Sequence, residues 1–152
     1  MSTPTKHSDD LNSATFRTHR VLPYSREQIF QAFARPELLE RWWGPRGYTN
    51  TFEVFEFQPG GRWKYVMHGP NGNNPLNESV FLNVDAPSSL VIHHISQPRY
   101  ILTVTLEDHE DKTMITWNQE FEDIAVADRI RHIVEPANEQ NLDKLESVLA
   151  GE

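Results

Sequence analysis

"PYSREQIFQAFARPELLERWWGPRGY", residues 23–48, decides the fold of this chain. Ser25 followed three residues later by Gln28 is a capping box, and Tyr24 and Ile29 hold the two positions of a hydrophobic staple. A helix therefore starts at Ser25 and buries Ile29, Phe30 and Phe33. Pro36 ends it, because the residue before a proline avoids helical angles. Pro36 is also a favoured first residue for a second helix. There Leu38 pairs with Trp42 and Leu39 with Trp43 at helical spacing, so each pair shares a face. Gly44-Pro45 terminates this helix. Two short helices joined at a proline make a V, and both tryptophans sit at its end.

On either side the pattern changes to strands. Residues 14–22, "ATFRTHRVL", alternate as a strand does. After the V, "YTNTFEVFEF", "RWKYVM", "ESVFLNV", "LVIHHI", "YILTVTLE" and "TMITWNQEF" are separated by short turns rich in Gly, Pro, Asn and Asp. Short turns make these six strands antiparallel neighbours. Trp63, Tyr65 and Met67 share one strand face, opposite Arg62 and Lys64. Tyr100, Leu102, Val104 and Leu106 share another, as do Ile115, Trp117 and Phe121. One-faced alternation predicts a sheet wet on one side. The last segment is helical, with Asp123 as N-cap. Its stripe runs through Ile130, Val134, Ala137, Asn141, Leu145 and Val148. Pro136 predicts a kink or break near Glu135. The expected class is α+β: a curved seven-stranded antiparallel sheet around a long C-terminal helix, with two short helices between strands 1 and 2. Such a sheet needs a cover, and gripping one helix leaves room for a pocket.

The 152 residues suggest one domain, read as 14–150 after a loose polar tail over 1–13. There are no cysteines, which removes disulfides, thiolate metal sites and Cys nucleophiles. The tail resembles no signal peptide and no segment has the length of a membrane span, so a cytoplasmic location is expected. The net charge is −8, and residues 107–152 hold 4 basic and 13 acidic side chains. An acidic end argues against nucleic-acid binding, which needs cations facing phosphates. It is either a solvated helix face or a docking surface for a basic partner.

The blocks "RVLPYSREQIFQAFARPELLERWWGPRGYT", "FQPGGRWKYVMHGPNG", "APSSLVIHH" and "LDKLESVLA" resemble the SRPBCC superfamily. The similarity is to the branch of activators of the 90-kDa heat-shock-protein ATPase, and it covers about residues 14 to 150. It implies the helix-grip (START-like) fold shared with START lipid-binding domains and polyketide cyclase-like proteins. It implies no catalytic motif. Many relatives carry Gly-Trp on the final helix where this chain has Ala137-Asn138. The change, with Asn141 nearby, predicts a roomier and more polar pocket wall.

Candidate ligand contacts follow from these faces: Trp43, Trp63, Tyr65, Met67, Leu82, Ile92, His94, Tyr100, Leu102, Trp117, Asn138 and Asn141. Each aromatic or Met is equally at home as plain core. Of Trp42 and Trp43, either one plugs the core where the V meets the sheet and the other covers a loop, or one forms the lip of the pocket. Acid–base work would need a carboxylate or His inside the pocket. The candidates by position are His94, Glu78 and Glu120, with Arg99 as an anion clamp. His93 and His94 are adjacent on a strand and point to opposite faces, so they cannot chelate one metal. No metal site and no cofactor are expected. The favoured function is binding of a small apolar or amphipathic ligand by a monomer or weak homodimer. The alternatives are an enzyme of cyclase or dehydratase type and a protein-interaction domain such as a chaperone regulator. A buried hydrogen-bonded polar pair in the pocket would favour the enzyme.

Overall fold

The computed structural model describes residues 14–151; the tail expected over 1–13 lies outside the described residues. Strand β1 (Thr15–Leu22) is followed by helices α1 (Arg26–Ala34) and α2 (Pro36–Trp42). Six strands come next: β2 (Thr49–Phe55), β3 (Arg62–His68), β4 (Leu76–Asp85), β5 (Ser89–His94), β6 (Tyr100–His109) and β7 (Lys112–Phe121). The chain closes with α3 (Ile124–Leu149). All seven strands form one curved antiparallel sheet in the order β1-β7-β6-β5-β4-β3-β2. Five of the six pairings are hairpins between sequence neighbours. The sixth brings β1 back beside β7, with Thr18 opposite Trp117.

The local signals explain the V. Ser25 caps α1 through the capping box with Gln28, and the half-buried Tyr24 packs against the core beside Ile29. Pro36 stands in the first turn of α2, and Trp43 is its C-cap. Gly44 then turns the chain with φ +93°, and a Cβ there would lie 2.7 Å from the Met67 methyl. The positive φ demands glycine, while the Met67 methyl, at the end of a flexible side chain, could shift. Trp42 is fully buried, edge-on to Phe33 at 4.9 Å, and its indole N–H donates to the Ala32 carbonyl at 2.9 Å. That bond ties the tip of α2 back to α1.

Helix α3 covers the inner face of the sheet. Asp123 caps it, accepting from Ala125 N–H, and Ala127, Asn138, Asn141, Leu142 and Leu145 are buried. Pro136 lies within the helix but does not break it. The proline removes one bond, to the carbonyl of His132, which is an exposed residue. Charged contacts hold the helix. Arg20 of β1 reaches Glu139, Asp143 and Glu146 at 2.7–2.9 Å. Lys144 donates to the carbonyls of Gly44, Pro45 and Tyr48, each at 3.2 Å. Burial lowers the pKa of this lysine, while its three oxygen partners satisfy all three ammonium donors.

Trp42→Ala is expected to cost about 3–5 kcal/mol in urea denaturation, because it removes a fully buried indole and the α1–α2 tie together. A loss below about 1 kcal/mol, the range of an ordinary surface change, would contradict the plug role.

Candidate functional site

Between the sheet and α3 lies a cavity of about 200 Å³. Strands β3 to β7 supply its floor through Tyr65, Met67, Asn77, His94, Tyr100, Leu102, Trp117 and Gln119. Helix α3 supplies the roof through Ile133, Val134, Ala137, Asn138 and Asn141. Trp43, Gly44 and Pro45 form one lip and Pro98 another. A separate cleft of about 390 Å³ runs along the surface between β1 and α3, with Arg17, Glu135 and Glu139 in its walls.

Nine of the twelve side chains nominated from sequence face the cavity: Trp43, Tyr65, Met67, His94, Tyr100, Leu102, Trp117, Asn138 and Asn141. Trp63 and Ile92 are buried in the adjoining core without reaching its wall. Leu82 is a correction. A bulge between Phe81 and Asn83 leaves Phe81 fully buried and turns Leu82 outward, 47% exposed. Trp42 is fully buried in the core, and Trp43 is buried and lines the cavity.

The carboxylate candidates are also corrected. Alternation along β4 and β7 puts Asn77 and Gln119 inside, so Glu78 and Glu120 point to the outer face. Arg99 is no clamp inside the pocket. It pairs with Glu122 at 2.9 Å and donates to the Ile95 carbonyl at 2.8 Å. Glu122 also meets His93 at 2.8 Å on the outer face, and these two partners hold its carboxyl below the usual range. Among the described residues, no Asp, Glu, Lys or Arg lines the cavity, and no group of three or more His, Asp or Glu is placed to hold a metal.

His94 is the centre of the polar wall. It is 3% exposed and stacks on the Tyr100 ring at 4.5 Å. Nδ1 lies 2.9 Å from the Pro98 carbonyl and Nε2 lies 2.7 Å from Asn77 Oδ1. Burial lowers the pKa of its imidazole, against the pull of nearby backbone acceptors. Burial also raises the Tyr65 and Tyr100 phenols, which stay neutral. Tyr65 accepts the Trp43 N–H at 3.1 Å, and Asn138 donates to Gln119 at 3.0 Å. Two buried polar atoms of the lining residues have no hydrogen-bond partner among the described residues: Trp117 Nε1 and Asn141 Oδ1. Asn77, Gln119 and the Pro98 carbonyl escaped the reading by position. Gln119 was detectable, because it shares the parity of Trp117 and Phe121.

This geometry can be set beside known proteins. The family model described as activator of Hsp90 ATPase homolog 1-like protein matches residues 23–150. The chain belongs to that family. Its membership places it in the SRPBCC superfamily, and the sheet, long helix and inserted V are the helix-grip fold. No curated protein matches the chain. A solved protein from Arthrobacter aurescens is similar at 25% identity, over 94% of this chain and 90% of that one, with a TM-score of 0.85. One from Nitrosomonas europaea superposes at TM-score 0.82 with 19% identity, covering 93% and 97% of the two chains. An AHSA1-like protein from Aeromonas hydrophila does so at 0.72 with 15% identity, covering 88% and 93%. For an Hsp90 ATPase activator homolog-like domain of this kind, the fold supports ligand binding or interaction in general terms. No helix among the described residues is long and apolar enough to cross a membrane.

The buried His94 carries a pH signature. Its folded-state pKa lies below the unfolded value of about 6.5. Above that unfolded value both states are neutral and the fold keeps its full stability. As pH falls below it, the unfolded chain takes the proton first, so stability is lost until the folded-state pKa is passed. Thermal melts of ligand-free protein between about pH 7 and pH 5 are expected to show this loss, at most about 1.4 kcal/mol per pH unit from this residue. In His94→Gln that component of the slope should vanish; an unchanged slope would assign it elsewhere.

Proposed function

We propose that residues 14–150 act as one small-molecule-binding domain whose ligand sits between the sheet and α3. The observation that carries this reading is the cavity itself, a space between sheet and helix with aromatic walls and buried polar atoms, at Trp117 and Asn141, that have no partner among the described residues. A buried N–H or C=O without a partner costs about 1–3 kcal/mol. A ligand with a complementary polar group recovers that cost on binding. The walls are aromatic on the sheet side and amide-bearing at Gln119, Asn138 and Asn141, which suits an amphipathic molecule. The volume is below the roughly 300–1,000 Å³ of sites for drug-sized ligands, which favours one ring or a short chain.

A second reading is acid–base catalysis on such a ligand. The observation favouring it is the buried, hydrogen-bonded His94–Asn77 pair. His94 is the one imidazole in the wall among the described residues, and no side chain of the wall is a charged partner for it. Binding without turnover therefore remains the primary reading. The interaction reading, which the family's description suggests, has weaker support here. Acidic side chains of α3 are engaged by Arg20, Arg46 and Arg131 rather than offered as a free face.

Native mass spectrometry of protein purified from its own cells, followed by solvent extraction, is expected to show a stoichiometric small molecule. Ala137→Trp, which fills the cavity from α3, should abolish that mass shift while the protein stays folded. Turnover of the extracted molecule, lost in His94→Ala, would promote the catalytic reading. A clean apo mass in the wild type would count against tight carriage.

A further inference from the structure

Each nitrogen of the buried His94 ring faces a carbonyl oxygen, at 2.9 Å from Pro98 and 2.7 Å from Asn77. The Asn77 amide is held in that orientation. Its Nδ2 donates to the Pro75 carbonyl at 3.2 Å, and a flipped amide would set two oxygens against each other. A carbonyl only accepts. Both contacts are therefore satisfied together only when both ring nitrogens carry protons. In the neutral ring one of them is a lone pair facing an oxygen. Ser96 can serve either state. Its Oγ lies 3.3 Å from Nε2 and accepts from Glu78 N–H, and its hydroxyl proton is free to turn toward or away from the ring. Asn77, which is nearer, has no such freedom.

The hydrogen-bond frame thus fits imidazolium, while burial in an uncharged wall opposes it. Nothing within the cavity supplies the missing counter-charge. From β3 and β6 the titratable groups facing the ring are the phenols of Tyr65 and Tyr100, both held neutral by burial. From β4 the facing group is Asn77, with Glu78 turned outward. From β5 the neighbouring His93 points to the other face, where Glu122 meets it and Arg99. From α3 the wall is Ile133, Val134, Ala137, Asn138 and Asn141, without charge.

We propose that the cavity binds a small organic anion, a carboxylate or enolate of about one ring, together with one proton taken up by His94. The proposal rests on the small-ligand reading above. An oxyanion beside the ring supplies the counter-charge, and the ring itself is buried, which strengthens attraction between opposite charges. Proton uptake then completes both carbonyl contacts. The unpartnered Trp117 N–H stands in the same wall as a neutral donor.

The test is titration calorimetry of the full chain with benzoate and phenylacetate, each beside its primary amide. Runs at about pH 6, 7 and 8 in two buffers of different protonation enthalpy count the protons exchanged. The acids are expected to bind more tightly than the amides. Their affinity should fall about tenfold per pH unit above the free-state pKa of His94, with one proton taken up. Amides binding as well as acids, or acids binding without proton uptake, would overturn the anion proposal and leave the cavity reading intact. No binding of any probe, together with a co-purified neutral molecule, would overturn it as well. No probe and no co-purified molecule would overturn both. In His94→Gln the acid-over-amide preference should disappear. Nitrogen NMR of the wild-type imidazole gives an independent readout: both ring nitrogens protonated with benzoate, only one without.

Discussion

Four indoles have to be buried in one small domain, and the arrangement of the rest follows from how they are accommodated. Trp43 stands 5.0 Å from Trp63, 5.8 Å from Trp117 and 5.7 Å from Trp42. Together they join the V, the middle of the sheet and β7 into one body. An indole brings a large apolar surface and one N–H that must find an acceptor. The V solves this for two of the four, through Ala32 and Tyr65. Trp63 and Trp117 find no partner among the described residues. The tight packing of the tryptophan end and the unsatisfied polar wall beside it are thus two sides of one compromise.

That wall differs in kind from an ordinary core. Asn77, Gln119, Asn138 and Asn141 are all buried, and His94 sits among them. Buried amides are tolerated when bonded, as Gln119 and Asn138 are to each other. They weaken a core that has no use for them, because leucine in the same place would add burial without desolvation cost. Their grouping along one cavity, opposite aromatic rings, is the sign of a surface shaped for something other than self-packing.

Much of the fold was readable because its signals are local. The Ser25–Gln28 box, Pro36 and Gly44-Pro45 mark the V within a few residues, and alternation marks each strand. The cavity wall was legible where alternation was followed through, as at Tyr65, Tyr100 and Trp117. It was missed where residue type overruled parity. Glu120 looks more chemical than Gln119, yet Trp117 and Phe121 already fix Gln119 inside. Leu82 was missed for another reason: a bulge adds one residue to the count, and nothing nearby in the chain announces it. The His94 frame depends on the carbonyls of Pro75 and Pro98, which lie in loops whose paths no periodicity records. Whether Pro136 would kink the last helix or split it stayed open in the sequence, because a proline's cost depends on how the carbonyl it abandons is served, which is a tertiary fact; the helix runs through it unbroken.

Strand β1 precedes the other elements of this domain and, among the described residues, has one neighbour in the sheet. That neighbour is β7, and the Arg20 contacts to α3 lie further still along the chain. On a ribosome the first strand therefore emerges with its edge unsatisfied, and it stays so until almost the whole domain has been made. The hairpins from β2 to β7 can form in sequence while it waits. Closing the sheet is a long-range event that comes last, and the loop it closes costs entropy before any contact rewards it. For this chain, nascent β1 is the segment most in need of shielding from other strands during synthesis.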